Sequence, residues 1–200
     1  CPAAGKRVRA AKNRRGIEVR AAAKNGERDP EAARYAALAP GVPLIESPFF
    51  DRFAAEFFPE PDVLDIARRL NRDGYAVFDF PDPDFDRTAE AVKAALYPRF
   101  DWRQWREQGW AQGAGLREPD CWSFNADVKR IACNEIVMRL LSRLYGRRMW
   151  PFQTLNFPVG TQQHFHSDSV HFSTAPERFM CGVWVALEDV GADAGPLVYY

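Results

Sequence analysis

The sequence predicts a mainly β fold with N-terminal helices: an antiparallel barrel or jelly roll with a helical flank. Two observations predict it. Apolar residues recur at helical spacing as far as residue 146, and the period then changes to short β-type runs with no helix between them. A length of 200 residues, 46% hydrophobic and 14% aromatic, is enough for one domain with a filled core.

Residues 1–28 are a basic leader, with nine bases against two acids and hence a net charge of +7 in a chain that is neutral overall. Such a stretch can meet nucleic acid or an acidic surface. A solvated, poorly ordered leader explains it as well, and no nucleic-acid partner is expected. It lacks the apolar centre of a signal peptide, and no segment is long enough to span a membrane. Residues 29–61 read as a Pro- and Phe-rich connection. Residues 1–61 are therefore expected to be partly disordered, with the folded domain over 62–200.

The stretch PDVLDIARRLNRDGYAVFDF (61–80) opens that domain. Val63, Ile66, Ala67 and Leu70 share a helix face, with Asp62 as N-cap and Gly74 as the stop. YAVFDF (75–80) reads as a strand, broken by PDPD (81–84). Phe85–Leu96 predicts a second helix with Ala89, Val92 and Leu96 on one face. Residues 97–125, with Trp102, Trp105, Trp110 and Trp122, suit either a lid over a substrate or plain aromatic packing. Val128, Ile131, Ala132, Val137, Leu140, Leu141 and Leu144 form a long apolar helix face that stops at Gly146. MWPFQTLNF, TQQHFHSD, FMCGVWVALEDV and GPLVYY then follow as β-type runs separated by Pro, Gly, Ser and Asp.

Cys1, Cys121, Cys133 and Cys181 are scattered, with no C-x-x-C. That argues against a disulfide framework or structural zinc and for a reducing, cytoplasmic setting. The histidines behave oppositely: all three, His164, His166 and His171, fall within QQHFHSDSVHFS (162–173), together with Asp168. In a regular strand His164, His166 and Asp168 would share a face. Two imidazoles and a carboxylate suit iron, zinc, copper or manganese, and H-x-D completed by a distant His is the pattern of the non-haem Fe(II) facial triad. Hydrogen-bonded histidines with no metal remain the plain alternative. A cupin motif fits worse, because Gly160 lies too close to His164 and no Glu follows at the required spacing. H-E-x-x-H, G-x-S-x-G, the P-loop and G-x-G-x-x-G are all absent.

The longer string HFHSDSVHFSTAPERFMCGVWVALEDVGADAGPL resembles the phytanoyl-CoA dioxygenase family of Fe(II)/2-oxoglutarate oxygenases. His166-Ser167-Asp168 matches the family's H-x-D, His171-Phe172 follows, Trp184 lies in the next β-type run, and AGPL stands where the family has N-G-x-L. The resemblance implies a double-stranded β-helix (jelly roll, cupin-like) with external helices, incomplete in this chain. It implies Fe(II) held by His166 and Asp168, and 2-oxoglutarate as co-substrate near Thr154, Ser167 and Trp184. His164 and His171 match no obligatory ligand and are candidates for orienting ligands or touching substrate.

The implied activity is hydroxylation of a C–H bond of a small or conjugated organic substrate, with dioxygen. A carboxylate at Asp168 favours hydroxylation, since related halogenases have a small residue there. The family's third ligand, a His, and its 2-oxoglutarate-gripping Arg lie downstream of the G-P-L turn, beyond Tyr200. The expectation is a fragment of a longer protein, inactive by itself. Two rivals stand beside this reading: a non-catalytic degenerate barrel binding metal or a small ligand, and a cupin-like metalloenzyme that uses His164 and does not use 2-oxoglutarate.

Overall fold

The computed structural model describes residues 6–7, 17, 30–108, 116–160, 165–168, 171–194 and 196–199. Its helices are α1 (Pro30–Ala36), α2 (Phe50–Phe57), α3 (Pro61–Asp73), α4 (Phe85–Leu96), α5 (Trp102–Gln108), α6 (Ala126–Ala132) and α7 (Glu135–Tyr145). Its strands are β1 (Lys6–Arg7), β2 (Glu118–Pro119), β3 (Leu155–Asn156) and β4 (Val198–Tyr199). They pair antiparallel as β1 with β4 and β2 with β3.

The predicted jelly roll is overturned. Among the described residues helix far outweighs strand, about 49% against 4%, and the strands form sheets of two. The double-stranded β-helix, even an incomplete one, is therefore not what the described residues form. Of the predicted runs, 75–80 and 179–190 carry no strand, and 149–157 pairs only over β3. Residues 161–164 lie outside the described residues. The physical reason is where the apolar side chains go. Phe78, Phe179 and Cys181 pack on a core built by helices, and Leu187 packs on a second one. A strand needs a ladder partner for its backbone as well as a β-type composition, and tertiary packing here overrides that composition.

The helices follow from local signals. Helix α3 begins at Pro61, which tolerates the first turn because it has no N–H to satisfy there, so Glu60 rather than Asp62 is its N-cap. It stops at Gly74, left-handed at φ 77°. The long apolar face near the C-terminal third is two helices. Asn134 accepts hydrogen bonds from the backbone N–H groups of Ile136 (3.0 Å) and Val137 (3.1 Å), which starts α7 afresh after α6. Asn125 caps α6 in the same way.

The main core joins α1, α2, α3 and α7. Phe53, Phe57, Phe58, Val63, Leu140 and Leu144 are fully buried there, and each such side chain contributes roughly 1.5–3 kcal/mol. Tyr35 stacks on Phe53 at 4.6 Å, and Phe57 meets Phe58 edge to face at 4.9 Å. Arg143 of α7 ties the helices together. Its guanidinium donates to Glu60 Oε2 (2.8 Å) and to the Phe57 carbonyl (2.5 Å) and lies against both Phe rings. The second core sits around Val92, Leu96, Cys121 and Val128, with Leu187 against it. The segment from Phe179 to Leu187 thus runs from one core to the other.

The two sides of the molecule are also strapped by charge. Arg130 of α6 forms a bidentate pair with Asp82, 2.8 and 2.7 Å, and Asp84 N–H donates to the same carboxylate. The Arg130 hydrogen bond, aided by that of Asp84, holds the Asp82 carboxyl below the usual carboxylate range against the opposing effect of burial.

Two predictions follow from these contacts. A Cβ at Gly146, which has φ 68°, would stand 2.9 Å from Cγ of the buried Leu44. Gly146→Ala should lower stability by more than about 1 kcal/mol in urea unfolding. The stabilisation from Asp82 is fully present above its unfolded pKa of about 4 and is lost as pH falls through its lower folded value. Acid titration should therefore show a stability loss below about pH 4 that is absent in Asp82→Asn.

Candidate functional site

The segment around H-x-D is not a strand. Asp168 opens a turn in which its carbonyl accepts the backbone N–H groups of His171 (2.9 Å) and Phe172 (3.0 Å). The turn folds His171 back on His166, ring edge to ring face at 5.3 Å between centroids. His166 Nε2 stands 3.4 Å from Asp168 Oδ1. The predicted pair is therefore side by side, in a stretch that is not a strand. The His166 side chain is 29% exposed and that of Asp168 53%, so the pair opens to solvent.

The remaining predicted residues differ in their surroundings. Ser167 lies between the two and is exposed. Trp184 is half exposed. Thr154 is held elsewhere: its N–H donates to Asp120 Oδ1 (3.2 Å), and its carbonyl accepts from Asp120 N–H (2.8 Å). Its Oγ1 is buried with no hydrogen-bond partner, as is Oδ1 of Asn156 two residues on. His164 lies outside the described residues, as does Trp110. Trp102 and Trp105 pack on each other edge to face, and Trp102 also stacks on Tyr97 at 4.7 Å.

Three residues join the site that sequence reasoning did not single out. Gly182 lies against the Asp168 carboxylate: a Cβ there would sit 3.3 Å from Oδ2. Tyr145, at the end of α7, donates its hydroxyl to the Met180 carbonyl (3.2 Å) and contacts the Cys181 thiol. Tyr199 stacks on Tyr75 at 4.7 Å. Burial, then the negative charge of Asp168, then Tyr75 raise the Tyr199 phenol above its ordinary value. A glycine inside a β-type run is a general signal of close approach. Nothing in the sequence says what approaches Gly182, and the two tyrosines carry no motif.

The supporting shell is uncharged at neutral pH. Burial, with the Cys181 thiol next, pushes the Tyr145 phenol far up. Burial also pushes the Cys181 thiol up, opposed by its contact with Tyr145. Cys121 is likewise raised, chiefly by burial. The described cysteines Cys121, Cys133 and Cys181 are free thiols.

The fit to a metal can be judged from the pair. Two donors about 2.0–2.2 Å from one ion, at near a right angle, stand about 3 Å apart. The 3.4 Å between Nε2 and Oδ1 suits a shared ion with a slightly opened angle. Among the described residues no group of three or more His, Cys, Asp or Glu side chains is arranged to hold a metal. His166 and Asp168 thus fit as two donors, and His171 does not supply a third.

A family model described as Phytanoyl-CoA dioxygenase (PhyH) matches residues 51–200. The chain belongs to the phytanoyl-CoA dioxygenase family. The match takes in H-x-D, Gly182 and Trp184, and begins at α2, so the main core lies largely within it. No curated protein and no solved structure matches the chain. The family is one of oxygenases that in general depend on Fe(II) and 2-oxoglutarate. Among the described residues no helix is long and apolar enough to cross a membrane.

The anchor at Tyr145 can be tested directly. Tyr145→Phe keeps the ring but removes the Met180 hydrogen bond, which should cost about 1 kcal/mol of stability and speed amide exchange at 179–182. Unchanged exchange there would mean that the hydroxyl does not hold this segment.

Proposed function

We propose that the chain carries the iron-binding pair of an Fe(II)- and 2-oxoglutarate-dependent oxygenase that hydroxylates a C–H bond of a small or conjugated organic substrate. The observation that carries the reading is the 3.4 Å approach of His166 Nε2 to Asp168 Oδ1, in a chain of this family. Bound Fe(II) with 2-oxoglutarate supplies the oxidising chemistry, in which dioxygen is consumed and 2-oxoglutarate ends as succinate and carbon dioxide.

The residues have separable roles. His166 offers an imidazole nitrogen and Asp168 a carboxylate oxygen, a donor pair that suits a divalent ion. The edge of His171 against the His166 ring restricts its rotation, a positioning role that needs no ligand bond. The buried, unpartnered Thr154 hydroxyl has hydrogen-bonding capacity to spare for a 2-oxoglutarate oxygen. Ser167 can add a second such hydrogen bond, and Trp184 a flat apolar wall beside the co-substrate. Asp168 itself occupies the position that a halide would need, so hydroxylation is favoured over halogenation. The free thiols suit a reducing compartment such as the cytoplasm.

Anaerobic Fe(II) titration followed by calorimetry tests this assignment. One equivalent should bind, and both His166→Ala and Asp168→Ala should weaken binding by about tenfold or more. His164→Ala should bind as the wild type does, and adding 2-oxoglutarate should change the absorption of the bound metal. Binding that survives Asp168→Ala, or that needs His164 and ignores 2-oxoglutarate, would overturn the assignment.

A further inference from the structure

Gly182 differs from Gly41, Gly74, Gly146 and Gly191 in what faces it. An added Cβ would meet nothing within 4 Å at Gly41, Gly74 or Gly191, and would meet the buried Leu44 side chain at Gly146. At Gly182 it would meet a carboxylate oxygen, Oδ2 of Asp168, at 3.3 Å. That is tighter than an ordinary van der Waals contact, so one of the two sides must yield when the methyl group is present.

The segment carrying Gly182 is held. The Met180 carbonyl accepts the Tyr145 hydroxyl of α7, and Cys181 packs against the main core. The side chain of Asp168 is 53% exposed and has room on its solvent side. The carboxylate is therefore the part that gives way. A displaced carboxylate carries Oδ1 away from its 3.4 Å approach to His166 Nε2. Backbone conformation does not demand glycine here, since Gly182 is not among the residues with positive φ.

We infer that Gly182 is a positioning residue for Asp168: its bare backbone is the wall against which Oδ2 rests, which leaves Oδ1 turned toward His166. The role rests on the reading of His166 and Asp168 as a metal-holding pair and adds to it a residue that touches no metal. It also gives α7 a part in the site, because the helix pins through Tyr145 the segment that forms the wall.

Co(II) titration of the chain, read by visible absorption, tests the inference beside thermal unfolding. Gly182→Ala should keep its Tm within about 2 °C of the wild type, since an exposed substitution with permitted backbone geometry costs little. Its Co(II) affinity should fall about tenfold, with a shifted absorption band. Val183→Ala, at the exposed neighbouring position, should change neither. Wild-type affinity and spectrum in Gly182→Ala, where Asp168→Ala has lost binding, would overturn the positioning role and leave the metal pair standing. A wild type that takes up no Co(II), or takes it up equally in Asp168→Ala, would overturn both. A collapse of Tm in Gly182→Ala would also overturn the inference, because it requires the carboxylate and not the fold to yield.

Discussion

The apolar surface shared by α2, α3 and α7 is the constraint on which the rest of the molecule depends. Phe53, Phe57 and Phe58 fill it from one side and Leu140 and Leu144 from the other. Arg143 then locks the arrangement, because its guanidinium can satisfy Glu60 and the Phe57 carbonyl only when α7 lies across the end of α2. Truncating one member of such a half-buried pair strands the other, so it specifies the packing more strongly than it stabilises it. The end of α7 is thereby fixed, and with it Tyr145. From there the order passes outward through the Met180 carbonyl to Gly182 and the Asp168 carboxylate. The site is thus a surface feature whose geometry is borrowed from a helical core.

Helices α3 and α4 were legible because their signals are local. Val63, Ile66 and Ala67 repeat on one face, Gly74 stops the first helix, and Phe85–Leu96 coincides with the second. Helices α1 and α2 were not legible. The aromatic run of α2 masks its period, yet Phe50, Phe53 and Phe57 are the buried i, i+3, i+7 face of a helix. The break between α6 and α7 was hidden for another reason. The apolar positions continue almost in phase across it, and only the side chain of Asn134 marks the new start. The β-type runs misled most, since Phe179, Cys181 and Leu187 have strand-like neighbours but bury themselves against helices.

In the site, sequence reasoning found the ligand-type residues but not what arranges them. H-x-D names His166 and Asp168 by chemistry alone. The turn at Asp168, whose carbonyl collects the N–H groups of His171 and Phe172, brings a further imidazole, that of His171, against His166. His166 and Asp168 stand side by side without strand structure, and the intervening Ser167 is left exposed. Gly182, Tyr145 and Tyr199 act through contacts between segments far apart in sequence. Such contacts leave no spacing to read, and a single glycine or tyrosine carries no motif.

The central claim is that His166 and Asp168 hold one divalent ion between them. X-ray absorption at the iron edge of the Fe(II)-loaded chain tests it most directly. The account predicts nitrogen and oxygen donors at about 2.0–2.2 Å, with the outer scattering of an imidazole ring that disappears in His166→Ala. A spectrum without imidazole scattering, or one that His166→Ala leaves unchanged, would contradict it.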